Sequence, residues 1–248
     1  MIELRRAINR RQQFPMAFIA LAIYAGCAAQ STPTAPAAPA AAFAIATSVD
    51  VLKVGETWTL ATVNAKGRVT WRSSDPSILA ISDAGQATAL TPGTATLTAA
   101  DGRSSIDTAL RVVPALDGWW KGSVQLLSYT RVSGGGPMPP ASYDVGTYEL
   151  VVQQTHGALD AHDTRYTPPE SLHGTVDVEG RAALKGDGVL ALPSSGATEE
   201  TTSLVLRLNG DTLNGDWTHI IRFTAFFGPQ VIEARRRLFD LRRHDDRR

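Results

Sequence analysis

Four titratable side chains fall within one short stretch, His156, Asp160, His162 and Asp163, and His173 and His219 follow downstream. Imidazole beside carboxylate is the pairing that moves protons or holds a metal ion, so hydrolytic chemistry would reside here if the chain had any. His156 and His162 are six apart, which places them on one side of an unbroken strand. Gly157 marks a turn between them that spoils this alignment. Asp160-Ala161-His162-Asp163 therefore reads as a solvated loop, and Asp216 beside Trp217 as an outward strand residue. Ser73, Ser74 and Asp75 offer one carboxylate and two hydroxyls, a poor set for calcium, which takes roughly six to eight oxygens. There is no Gly-rich phosphate loop, nucleophile elbow or metal-spaced Cys/His set. The reading assigns no catalytic residue, no metal and no cofactor. An envelope hydrolase using His156, His162 and Asp163 stands as the alternative.

The elements that would position these residues are short strands. Gly 21 and Pro 14 in 248 residues, with Thr, Val and Ala frequent, suit many strands and turns, and the length suits two small domains. The formal charge is +0, and residues 1–26 contribute +3 of it through Arg5, Arg6, Arg10, Arg11 and Glu3, leaving −3 for the rest. A mildly acidic protein is a poor partner for a polyanion, so nucleic acid is excluded. Cys27 is the single cysteine, so both domains must be held by apolar burial without an intrachain disulfide.

The four arginines precede the apolar stretch Phe14–Ala25. That stretch is too short for a lasting membrane span, which needs about 20 residues, and the order basic then apolar is that of a secretory signal peptide. It ends in Tyr24-Ala25-Gly26-Cys27, which resembles the lipobox of bacterial lipoproteins. The resemblance implies cleavage between Gly26 and Cys27 by signal peptidase II and acylation of the Cys27 thiol. Tyr24 departs from the aliphatic residue usual there. An ordinary signal peptide cut after Ala28 or Ala29 is the other reading. Ala28 following the cysteine implies, by analogy with Gram-negative lipoproteins, the outer membrane. Residues 27–42, rich in Ala and Pro, then form a tether, stiffened by Pro33, Pro36 and Pro39.

Residues 43–114 alternate short apolar runs with turn signals, as in a β-sandwich. Val69 and Trp71 point inward while Thr70 and Arg72 point out, so Trp71 is expected to fill the core. Gly67, closing the turn from Asn64, is expected to supply a positive φ. Four separated motifs occur in order: Val54-Gly55-Glu56-Thr57, Val69-Thr70-Trp71-Arg72-Ser73-Ser74-Asp75, the Gly85 turn, and Thr91-Pro92-Gly93-Thr94 running into Ala95–Ala99. The apolar runs number about seven strands. Together the motifs resemble the bacterial immunoglobulin-like group 2 family, which implies a small β-sandwich surface module acting as spacer or adhesive, without enzymatic activity.

Residues 115–241 predict eight longer antiparallel strands joined by tight turns, with 242–248 a charged, solvated tail. Asn209-Gly210-Asp211 is a strong hairpin signal. Leu-x-Gly recurs at Gly174, Gly210 and Gly215 and reads as repeated hairpin chemistry. A consecutive meander removes its open edges by closing into an up-and-down barrel. Gly118-Trp119-Trp120 resembles the Gly-x-Trp that opens lipocalin-like barrels. That resemblance implies an arginine from the last strand packed over the Trp, a role open to Arg235, Arg236 or Arg237. A sandwich of the carbohydrate-binding type is the rival architecture. Gly134–Pro140 reads as an inserted surface loop, with a lid over a barrel mouth as the alternative.

The fold class expected is all-β, an immunoglobulin-like sandwich followed by an eight-stranded barrel. The function expected is a non-enzymatic envelope lipoprotein, anchored at Cys27, whose second domain binds a small apolar ligand, a glycan or a surface protein. A purely structural envelope role is a further alternative.

Overall fold

The computed structural model describes residues 41–46, 49–136, 145–164, 170–192 and 196–244. The signal segment with Gly26 and Cys27, most of the tether, Pro137–Pro140 and residues 245–248 lie outside the described residues. Residues 41–248 form one compact unit and every regular element described in it is a strand.

The first part builds nine short strands: β1 Ala44–Ile45, β2 Val51–Lys53, β3 Thr57–Thr59, β4 Thr62–Val63, β5 Thr70–Ser73, β6 Leu79–Ile81, β7 Gln86–Ala89, β8 Gly93–Ala100 and β9 Ser105–Val113. Seven of them make two sheets, β2-β9-β8-β5 and β3-β7-β6, and β1 pairs with β4 separately. β2 runs parallel to β9 and the other pairs are antiparallel. Alternation decides the core. Ala95 and Leu97 of β8 and Leu110 and Val112 of β9 meet Leu52, Leu79, Ala87 and Ala89 with almost no exposure.

Trp71 differs from expectation. It is half-buried at the rim of this core, its indole nitrogen lying over Gly85, where a β-carbon would collide with it. Gly85 also sits at φ +80, so it closes the turn and makes room for the ring at once. In the preceding turn Asn64, not Gly67, takes the left-handed conformation (φ 60). Gly67 is needed because a side chain there would press on the Asp101 carbonyl.

Asp101 closes the β8–β9 turn. Its carboxylate accepts N–H bonds from Lys66 (2.8 Å), Arg103 (3.0 Å) and Ser104 (2.8 Å), and these bonds hold its pKa below the ordinary value. A depressed carboxylate contributes stability above its unfolded pKa of about 3.9, and that contribution disappears as pH falls through the lower folded value. Asp101→Asn should therefore lower Tm at neutral pH, with the gap to the parent narrowing through the acid range. Thermal melts from roughly pH 7 to pH 2 test this, and a gap that stays constant would contradict it.

The second part is a closed barrel. Its strands are β10 Gly118–Ser133, β11 Val145–Thr155, β12 Ala158–Asp163, β13 Glu170–Val176, β14 Arg181–Leu192, β15 Gly196–Asn209, β16 Thr212–Ala225 and β17 Gly228–His244. Each pairs antiparallel with the next, and β17 returns to β10. Three register shifts along β10–β17 bend the seam that closes the sheet.

Three sequence expectations are corrected here. Arg242, Arg243 and His244 are not a solvated tail but the last residues of β17, paired with Lys121, Trp120 and Trp119. Of the Leu-x-Gly glycines only Gly210 is in a turn (φ 57); Gly174 and Gly215 lie inside β13 and β16. A side chain at either would strike the backbone of the neighbouring strand, at Ala183 or Val205. Gly186-Asp187-Gly188, whose residue types suggest a tight turn like that at Asn209-Gly210-Asp211, also lies within a strand, β14.

Candidate functional site

Antiparallel alternation gives the barrel two distinct ends. The turns at His156-Gly157, Asp177–Gly180 and Gly210-Asp211 face the sandwich and make the junction end. The last residues of β10, β12, β14 and β16 mark the far end.

The interior of the junction half is filled. Trp120, Leu150, Val152, Leu159, Ala161, Leu172, Ala182, Leu184, Leu204, Leu206, Leu213 and Leu241 are all buried there. Side chains this nearly inaccessible leave no water-sized space beside them, so this half is a packed core rather than a cavity.

The far half of the interior is different in kind. Asp163, Thr202, His219, Gln230 and Arg236 are buried polar residues. Thr202 stands directly opposite His219, and Trp217 opposite Arg236, so each pair shares the inner face. The His219 Nε2 is 3.3 Å from a Glu200 oxygen, its ring stacks on Trp217 at 5.9 Å, and the Arg236 guanidinium lies 4.8 Å from the Trp217 centroid. Tyr148 packs on the same indole at 5.7 Å. The Thr202 hydroxyl has no hydrogen-bond partner among the described residues.

The residues singled out from sequence do not converge. His156 occupies the β11–β12 turn at φ 54, where its Nδ1 is 2.9 Å from the Glu56 carboxylate of the sandwich and its ring meets Trp58 edge-on at 5.6 Å. Asp160 and His162 face outward from β12, bonded to His173 (2.6 Å) and Ser171 (3.2 Å). Asp163 faces inward and is fully buried. Period-two alternation thus sends the members of this group to three separate places, and no cluster able to hold a metal is found among the described residues. Asp216 is outward, paired with Arg237 at 3.1 Å. Ser73, Ser74 and Asp75 spend their oxygens on the turn: Asp75 accepts from the Ser77 hydroxyl and N–H, which lower its pKa, and Ser74 accepts from the Thr96 N–H.

An arginine of the last strand does pack over a tryptophan near the barrel's opening, but it is Arg243 over Trp120, at 5.1 Å. Arg235 and Arg237 are exposed and Arg236 serves Trp217. Arg243 also donates to the Ala115 carbonyl at 2.6 Å, closing the junction end.

Sequence reasoning missed Gln154. It is buried, and its amide accepts from the Leu116 N–H (2.6 Å) while donating to the carbonyls of Pro114 (3.0 Å) and His156 (2.7 Å). Asp117 accepts from the Gln154 N–H and pairs with Lys53 of the sandwich at 2.9 Å. Val51 of the sandwich packs against the barrel core. The Pro114–Asp117 joint is thereby locked rather than loose. The available signal was parity: Gln154 continues the inward row Tyr148, Leu150, Val152. Glu200 and Thr202 extend the inward row of β15 in the same way.

The far end carries two exposed aromatics. Phe226 and Phe227 form the β16–β17 turn at 97% and 61% exposure, with Val132 of β10 exposed near them. Gly136 lies against the Phe227 ring, leaving no room there for a side chain.

No known protein family and no curated protein matches the chain. Among solved structures it is similar to human Protocadherin-24 EC1-2, with a TM-score of 0.31 and 11% identity over 78% of this chain and 96% of that one. It is also similar to domains 5-6 of the S-layer protein SbsC, with a TM-score of 0.25 and 12% identity over the same shares. Likenesses this slight carry no argument about what the chain does.

Proposed function

We propose that this protein is a non-enzymatic lipoprotein of the bacterial cell envelope, anchored through Cys27 in the outer membrane, in which the sandwich is a spacer and the barrel the binding domain. The observation that carries this reading is the path of the chain through the sandwich. Ala42 enters beside Asn64, next to the Lys66–Asp101 corner at the β8–β9 turn, and Val113 leaves at the opposite end of β9. The domain is thus traversed end to end, a strand length of about 26 Å. The locked joint passes that displacement on to the barrel.

Within the barrel, the packed junction half argues against a small apolar ligand inside. The exposed Phe226-Phe227 turn favours contact with the surface of another protein, since aromatics concentrate binding energy at interfaces. Among the described residues, His156, His162 and Asp163 lie at three separate places, which favours binding over hydrolysis.

Two measurements test this. Labelled palmitate should be incorporated by the parent and not by Cys27→Ser, and label retained in the variant would defeat the anchor. A photo-reactive side chain at position 226 should give a discrete protein adduct in intact cells, while one at the exposed wall residue Phe239 should not. Equal adducts from both positions, or none from 226, would defeat the proposed binding end.

A further inference from the structure

An open groove of about 840 Å³ lies between the sandwich and the outer wall of the barrel, within the usual size range of ligand sites. Val51, Trp58, Arg111, His156, Asp177 and Arg181 line it. Its walls are held in place by the Lys53–Asp117 and His156–Glu56 pairs and by the packing of Val51 on the barrel, so the groove exists before any ligand arrives.

The lining joins one aromatic surface to side chains of both charge signs. Trp58 is half-buried, and its indole N–H has no hydrogen-bond partner among the described residues. Arg111 is exposed and paired with Asp50 at 2.8 Å. Asp177 accepts from the Arg181 backbone N–H at 2.8 Å, and no described residue bonds the Arg181 guanidinium. Two guanidinium groups and two carboxylates leave these four side chains without net charge, and so without attraction for a polyanion. They do offer donors and acceptors side by side. Sugar hydroxyls need both, and the apolar C–H face of a pyranose ring needs a flat apolar surface such as an indole. An added peptide strand is less well served, because the bordering edge strand β2 has three residues and Lys53 is already bonded to Glu56 through both its N–H and its carbonyl.

We propose that the groove between sandwich and barrel binds an uncharged oligosaccharide, with Trp58 as its stacking surface and Arg181 and Asp177 as hydroxyl partners. The groove is at the opposite end of the barrel from Phe226-Phe227, so this proposal fails or stands apart from the protein-binding reading above.

The test is calorimetric titration of the full chain in detergent micelles with cellohexaose, maltohexaose and chitohexaose, with hexagalacturonate and an acidic peptide as charged comparisons. At least one neutral hexasaccharide should bind, with affinity unchanged between roughly 0.05 and 0.5 M salt. Trp58→Ala should weaken it about tenfold or more, and Arg181→Gln, an exposed substitution that leaves the fold intact, by about threefold or more. The idea is overturned if none of the neutral sugars binds, if only the charged probes bind and salt abolishes it, or if both variants bind like the parent. The position 226 adduct should be the same in Trp58→Ala as in the parent, which separates the two sites.

Discussion

Trp217→Ala is expected to be the most damaging single substitution in the barrel, costing about 3–5 kcal/mol from the lost indole and the void it leaves. The ring is essentially inaccessible and is touched from three sides, by Tyr148, His219 and Arg236. It sits where the apolar half of the interior meets the polar half, so its removal also strips Arg236 of the aromatic face it lies over. A buried cation losing such a face forfeits roughly a further 1–2 kcal/mol. Trp119 is the control, since it is only half-buried and faces the outer wall beside Lys121 and His244. Denaturant unfolding followed by circular dichroism should show the midpoint of Trp217→Ala far below that of Trp119→Ala. Equal losses from the two would mean that the barrel does not depend on this tier.

The second large effect is expected at the joint. Gln154→Ala leaves the Leu116 N–H and the Pro114 and His156 carbonyls without their partner. At roughly 1–3 kcal/mol for each buried polar group left unmet, the loss is on the order of 3–5 kcal/mol, allowing for partial access of water. Gln154→Glu separates hydrogen bonding from shape. The carboxylate can still accept from Leu116 but cannot donate to either carbonyl, so it should be nearly as harmful as the alanine despite equal size. Both variants should lower Tm by roughly 10 °C. Spin-label distances between the sandwich and the barrel should broaden in both. A narrow distance distribution in Gln154→Ala would show that Lys53–Asp117 and Val51 hold the joint without it.

Much of the barrel was legible because a strand shows its two faces in alternate residues. Leu150 and Val152, or Leu204 and Leu206, needed only a period of two to be placed inside, and consecutive hairpins with no edge to spare implied closure. The same rule, carried one step further along β11 and β15, would have identified Gln154, Glu200 and Thr202 as inward polar residues. Hydropathy alone does not distinguish them from solvent positions. Asp160-Ala161-His162-Asp163 reads from sequence as a solvated loop but belongs instead to strand β12, with Asp163 buried. Closeness in sequence is not closeness in space on a strand, where Asp160 and Asp163 face opposite sides of a wall.

From the sequence alone came the all-β class, the order of a sandwich followed by an eight-stranded meander, and the absence of a disulfide framework, because local alternation, turn residues and a single cysteine determine these. Only the tertiary structure decided which arginine covers Trp120, which glycines are turns and which are close approaches, and how the two domains are joined. Arg243 and Trp120 are more than a hundred residues apart, and Gln154 bonds across nearly forty to Leu116. No local pattern records pairings that arise only when the sheet closes and brings its last strand beside its first.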